Sequence, residues 1–275
     1  MEYASKGNLI NLLNKKMYLE EREIRIIIAQ VIEALLYIHS KDIIYGDLKA
    51  ENILIANNGT VKLCDFNLSG TASLLSNSLQ GTVCYLSPEI IEQKKKTPMS
   101  DFWSLGVLTH LLFYRKYPFK EASNNSNSII KQILNRQILK EPRDRRASKE
   151  LRILIEDLLT KDYKRRIGHR IEDFKQHPFF KNFDWSNYFN NKKNFGYAKD
   201  FMVNEDSEVD NSQLIDELSI KEDEISQHEV NGYKIGNFTY MDDEQSNCMA
   251  NIYIYNHIIV NVPILQVIQM NLISR

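Results

Sequence analysis

The run Tyr45-Gly46-Asp47-Leu48-Lys49-Ala50-Glu51-Asn52, followed by Asp65-Phe66-Asn67, holds residue types that share one chemical task. Moving a phosphoryl group is mostly positioning and charge neutralisation. A carboxylate must orient and deprotonate the attacking hydroxyl, and hard oxygen ligands must hold magnesium. Asp47 suits the first role. Asn52 and Asp65 suit the second, because a carboxamide and a carboxylate are ligands that Mg²⁺ accepts beside phosphate oxygens.

These side chains need elements to place them. Between Asn52 and Asp65 lie two apolar runs, Ile53-Leu54-Ile55 and Val61 to Cys64, with Asn57-Asn58-Gly59 between them. Asn58-Gly59 suits a tight turn, so a β-hairpin is expected to bring Asp65 back beside Asn52. Upstream, Ile24, Ile27, Ile28, Val31, Leu35 and Ile38 recur at helical spacing and predict a helix from Glu20 to His39. Glu21, Arg22, Arg25 and Glu33 fall off that apolar face. Downstream, Ser100 to Tyr114 is apolar nearly all round and must be a helix buried on all sides. Asp101 near its start would be expensive to bury unpaired, and a capping role beside Ser100 is one solution. A short amphipathic helix is expected from Ile129 to Ile138, and Ser148 is expected to cap Leu151 to Leu159.

Bulk properties narrow the class. The chain has 275 residues, a formal net charge of −1 and 43% hydrophobic residues, which permits a sizeable core and gives no global basic field for nucleic acid or membrane. Cys64, Cys84 and Cys248 are far apart and odd in number, with no CxxC. Neither a disulfide framework nor a zinc site is indicated, and a cytoplasmic or nuclear location is expected. Cys64 beside Asp65 is either a reactive thiol or, the favoured reading, a small buried hydrophobe closing a strand. His177 is expected to be structural, since no second histidine sits at metal spacing. No signal peptide or lipidation motif opens the chain. The apolar end, Ile252 to Leu272, is broken by Asn256, His257, Asn261, Pro263 and Gln266 and falls short of a membrane span.

The stretch around Asp47 and Asp65 resembles the catalytic loop and magnesium loop of eukaryotic protein kinases, H-R-D-L-x-x-x-N and D-F-G. Lys49, two residues after the aspartate, is the choice of the serine/threonine kinases. Gly81-Thr82-Val83-Cys84-Tyr85-Leu86-Ser87-Pro88-Glu89 resembles the G-T-x-x-Y-x-A-P-E close of the AGC group, the class that includes the cyclic-nucleotide-dependent enzymes. The resemblance implies that Asp47 accepts the acceptor's proton, that Lys49 steadies the γ-phosphate, and that Asn52 and Asp65 hold magnesium. It also implies that Thr82 hydrogen-bonds Lys49 and Asp47. Tyr45 and Phe66 would be structural, Asp101 would tether the loop through backbone N–H groups, and Arg166 in Asp162-Tyr163-Lys164-Arg165-Arg166 would pair with Glu89.

Met1 to Leu9 resembles the kinase hinge, with backbone groups of Glu2 and Ala4 meeting adenine. Asn8 falls near the ribose, and Glu51 and Leu54 would complete the nucleotide site. Met1 then falls at the gatekeeper position, so the Gly-rich loop, the strand lysine and its glutamate partner are not in this chain. The expectation is a truncated gene model or fragment that by itself transfers little or no phosphate. Gly46 replaces the arginine that in relatives receives the activation-loop phosphate, so switching by that route is expected to be weak or absent. Asn67 replaces the last glycine of D-F-G, where asparagine tolerates left-handed backbone. Ser78 and Thr239 are candidate phosphosites, Ser78 the weaker because of Gly46.

The implied fold is α+β, mainly α: a kinase large (C-terminal) lobe with a small catalytic β-hairpin and an AGC-type tail. Residues 1–183 would be hinge and large lobe, and 184–202 the start of the tail, from Phe183-Asp184-Trp185 onward. Residues 203–231 are expected to be an acidic disordered linker, and 232–275 a tail of uncertain structure. The nearest branch resembled is the YANK kinases. ATP and Mg²⁺ are the implied cofactors, and proteins bearing Ser or Thr are the implied partners, with no nucleic acid, no membrane span and no indication of oligomeric state. A rival reading is a non-catalytic, pseudokinase-like binding module.

Overall fold

A computed structural model describes residues 7–16, 18–56, 59–71, 81–92, 96–119, 126–136, 138 and 145–185, together with short strands at 229–230, 233–234 and 260–261. The hinge residues Glu2 and Ala4 and the candidate phosphosites Ser78 and Thr239 lie outside the described residues.

The chain enters through α1 (Leu9–Lys15), capped reciprocally by Asn8 and Asn11. The long α2 (Glu21–His39) follows and buries Ile24, Ile27, Ile28, Val31, Leu35 and Ile38 as the spacing predicts, but Ile26, Ala29 and Ile32 are buried too. The helix is wrapped on more than one face because α4 and β2 both pack on it. The stretch around Asp47 then runs into β1 (Ile53–Ile55) and β2 (Val61–Leu63), an antiparallel hairpin with Ile53 opposite Leu63 and Ile55 opposite Val61. Gly59, at φ 79°, takes the left-handed position in the turn and donates its N–H to Ala56 O at 2.9 Å.

After α3 (Pro88–Ile91) comes α4 (Pro98–Tyr114), the centre of the core, with Phe102, Trp103, Leu105, Val107, Leu108, Leu111 and Leu112 all fully buried. α6 (Lys149–Leu158) and α2 both pack against α4. Gly106 permits the α4–α6 approach: a Cβ there would lie 2.8 Å from Leu158 Cβ. The helix expected from Ile129 to Ile138 is α5 (Ser126–Asn135). It starts earlier and stops earlier, because Arg136 turns left-handed at φ 52° and breaks the helical path. Ser148 caps α6, its Oγ accepting from Leu151 N at 3.1 Å. α7 (Ile171–Lys175) and the turn at Pro178–Phe180 close the lobe. His177 belongs to this turn, its Nδ1 accepting from Phe179 N at 3.1 Å, and Trp185 then folds back onto Phe180 with ring centroids 5.1 Å apart.

Two strand pairings fall in the expected linker and tail. β3 (Glu229–Val230) pairs antiparallel with β4 (Tyr233–Lys234). β5 (Val260–Asn261) runs antiparallel beside β2, Lys62 opposite Asn261, and makes the hairpin a three-stranded sheet.

Candidate active site

Asp47 sits between α2 and β1 in an extended loop whose backbone is pinned from both ends. Ile44 pairs with Gly70 across an isolated bridge, and Ser69 Oγ donates to Tyr45 O at 2.6 Å. From below, Asp101 on α4 takes the N–H groups of Tyr45 at 2.9 Å and Gly46 at 2.8 Å, and His39 Nε2 lies 2.7 Å from its second partner oxygen, Oδ2. The carboxylate is thus a tether for the loop, and the capping role weighed for it beside Ser100 does not apply. Ser100 Oγ instead accepts from Thr97 N at 3.4 Å.

The loop gathers the candidate residues around one carboxylate. Asn52 Nδ2 donates to Asp47 Oδ2 at 2.9 Å and to Asp47 O at 3.0 Å. Lys49 Nζ lies 3.0 Å from Asp47 Oδ2 and 3.4 Å from Thr82 Oγ1. Among the described residues Thr82 pairs with Lys49 and not with Asp47, so the two-partner role expected of it is met by one contact. Burial works against the Lys49 ammonium, yet Asp47 beside it, then Glu51 and Asp65, outweigh that and hold it above the usual lysine range.

Asp65 is returned to this loop by the hairpin: Cys64 N donates to Asn52 O at 3.0 Å, directly continuing the β1–β2 register. The left-handed residue of this turn is Asp65 itself, at φ 58°. The expectation had placed that conformation at Asn67, which has no positive φ among the described residues. Asp65 Oδ1 accepts from Asn67 N at 3.2 Å in a local turn that an aspartate side chain supports. Phe66 anchors the turn inward, edge-on to Tyr45 at 5.1 Å between centroids. Tyr45 OH donates to Cys64 O, and burial first, with the surrounding negative groups, keeps that phenol protonated. The Cys64 thiol is pushed up by burial and by Asp65, which fits the bland reading of this cysteine.

The donor set suits magnesium. Asn52 spends its NH₂ on Asp47, which leaves its Oδ1 as the oxygen free for a metal, and Asp65 is exposed with an oxygen to spare. Both are hard oxygens. No cluster of three or more His, Cys, Asp or Glu occurs among the described residues, so a metal here would complete its shell with nucleotide oxygens and water. Leu54 is half-buried and bridges antiparallel to Asn8, while Glu51 is exposed at the rim. The Asn8 Oδ1 assigned near the ribose is taken by Asn11 N at 2.9 Å, so its carboxamide serves α1 as a cap.

Behind the loop, Glu89 and Arg166 form a buried two-armed pair, Oε1 to Nη1 at 2.6 Å and Oε2 to Nη2 at 2.9 Å. Arg166 also donates to Met99 O and Thr160 O and lies over Trp103. His39 and Lys96 escaped the sequence reading. His39 is the last residue of α2 and meets Asp101 only through the fold. Lys96 ends the run Lys94-Lys95-Lys96, which carries no motif.

The sequence profile of the protein kinase domain matches residues 1–180. The chain is 34% identical over 188 residues to the cAMP-dependent protein kinase type 3 of Saccharomyces cerevisiae, covering 67% of this chain and 46% of that one. It is 40% identical over 190 residues to the serine/threonine-protein kinase SCH9 of the same yeast, covering 67% and 22%. A probable cAMP-dependent protein kinase catalytic subunit of Encephalitozoon cuniculi is 36% identical over 186 residues, covering 67% and 56%. The chain therefore spans about half or less of the length of these curated relatives.

Proposed function

The chain belongs to the protein kinase family, with AGC-group kinases among its relatives, and from that premise we propose that it carries the catalytic half of a serine/threonine kinase. The observation that carries the reading is the convergence of Lys49 and Asn52 on the Asp47 carboxylate with Asp65 returned alongside by the hairpin. In this reading Asp47 orients the acceptor hydroxyl and takes its proton. Lys49, cationic and already at Asp47, steadies the negative charge of the transferring group. Asn52 and Asp65 hold Mg²⁺, which when bound with ATP neutralises phosphate charge. Tyr45, Phe66 and Asp101 keep the loop in place. Glu2 and Ala4 would meet adenine, with Asn8, Glu51 and Leu54 around the ribose and ring. The substrate is a protein Ser or Thr. The nearest branch is the YANK kinases, the residues after Phe183 begin an AGC-type tail, and the compartment is cytoplasmic or nuclear.

A second reading, a binding module that holds nucleotide without transferring phosphate, would use the same residues to hold Mg²⁺ and nucleotide. One experiment separates the two. The 275-residue chain, and the same chain preceded by a kinase small lobe, are each given Mg-ATP and a generic protein acceptor. The chain alone is expected to transfer little; the extended version is expected to label Ser and Thr and to lose that activity, by at least about a thousandfold, with Asp47→Ala. An extended version that is stabilised by Mg-ATP yet never transfers phosphate would establish the binding-module reading.

A further inference from the structure

Lys96 sits in the segment before α4, 3% exposed, and its ammonium has no hydrogen-bond partner among the described residues. An ammonium carries three donors, so one buried without a partner is a feature to explain. Its Nζ stands 3.4 Å from the point that a Cβ on Gly46 would occupy. Gly46 itself is held at φ 81°, with Leu68 O only 2.6 Å from the same point, so a side chain at that position would strain the backbone and crowd both neighbours. The flank of the loop beside Gly46 is therefore filled from another element. Lys96, Gly46, Asp47, Gly81, Thr82 and Asp101 line a small cavity there with room for about one water.

The charges around this point are unbalanced without the lysine. Asp101 spends its oxygens on Tyr45 N, Gly46 N and His39. Asp47 spends its own on Asn52 and Lys49. Two carboxylates thus flank Gly46 in a largely buried setting, where like charges repel more strongly than in water. Glu51 and Asp65 add negative charge on the outer side, felt at Lys49, and Glu89 below is already matched by Arg166. Burial holds the Lys96 pKa below the usual lysine value, and Asp101, then Asp47, oppose that shift, so the amine feels both carboxylates.

We propose that Lys96 is a positioning residue for the catalytic loop, its buried ammonium being the counter-charge that lets Asp47 and Asp101 lie on either side of Gly46. It acts across a water-sized gap and touches no reacting atom. The role as catalysis rests on reading residues 45–52 as a catalytic loop; the structural part does not.

The test uses the 275-residue chain and amide hydrogen exchange, so it does not depend on phosphate transfer. Lys96→Met removes the charge and keeps the apolar stem. The N–H groups of Tyr45 and Gly46 should then exchange about tenfold faster, while the α2 and α4 amides keep their wild-type rates. Lys96→Arg should restore protection to within about twofold of wild type. If Lys96→Met does not fold, Lys96→Gln is read by the same criteria. Unchanged exchange at Tyr45 and Gly46, or uniform acceleration across α2 and α4, would overturn the proposal. A small-lobe-extended chain that transfers no phosphate would count against the kinase reading alone and leave the exchange result standing.

Discussion

Arg166 is almost fully buried, and its guanidinium satisfies Glu89 with two nitrogens while also serving the Met99 and Thr160 carbonyls. Removing one partner strands the other as an uncompensated buried charge, so Glu89→Ala should cost about 3–5 kcal/mol in urea unfolding. A variant that unfolds at the wild-type midpoint would show that the pair is not what ties α3 to the base of the lobe. Glu33, half-buried on α2, gives a pH signature. Burial, opposed by Lys175, raises its carboxyl from 4.5 to about 7. A carboxyl raised on folding binds more protons folded than unfolded between those values. Stability from this group is therefore full below pH 4.5 and is lost as pH rises through about 7. Glu33→Gln should remove that slope and, because solvent screens this half-exposed group, be only about 1–2 kcal/mol more stable than wild type at pH 8, by thermal unfolding at several pH values. At this scale the sequence is legible where partners are close along the chain: Asp47, Lys49 and Asn52 lie on one loop, and Asp65 follows across one hairpin. His39 and Lys96 were not legible, because His39 meets Asp101 and Lys96 comes beside Gly46 only after α2 and α4 have packed.

The elements follow the apolar pattern where it is long and unambiguous. α4 is apolar on every side and sits at the centre of the core, and α2 carries the predicted face. The hairpin forms because Gly59 can adopt the left-handed turn between two apolar runs. α5 was misplaced because its end is set by one backbone reversal at Arg136, which no periodicity announces. For the terminal run an added β segment was one of two readings, but its pairing with β2 was not legible, since its polar interruptions give no register. The α4–α6 contact is a sharp test of packing. Gly106→Ala would place a methyl 2.8 Å from Leu158 Cβ and 2.9 Å from Leu159 Cδ2, so it should destabilise by about 1–3 kcal/mol despite the better helix propensity of alanine. Equal or greater stability would mean that the two helices separate without penalty.

At the scale of the whole molecule, the lobe is a helical base that presents one polar edge. α4 supplies Asp101 from beneath, α2 supplies His39, and the hairpin closes the edge by carrying Asp65 back to Asn52. No described helix is long and apolar enough to cross a membrane. The account stands or falls on whether that edge holds a metal–nucleotide pair at Asn52 and Asp65 with Asp47 facing it. The direct measurement is Mn²⁺ binding in the presence of ATP, followed by electron paramagnetic resonance, for the wild-type chain, Asp65→Ala and the remote control Asp173→Asn. The account predicts that Asp65→Ala weakens ATP-dependent Mn²⁺ binding by about 10–100-fold and that Asp173→Asn leaves it unchanged. Equal Mn²⁺ affinity in wild type and Asp65→Ala would contradict it.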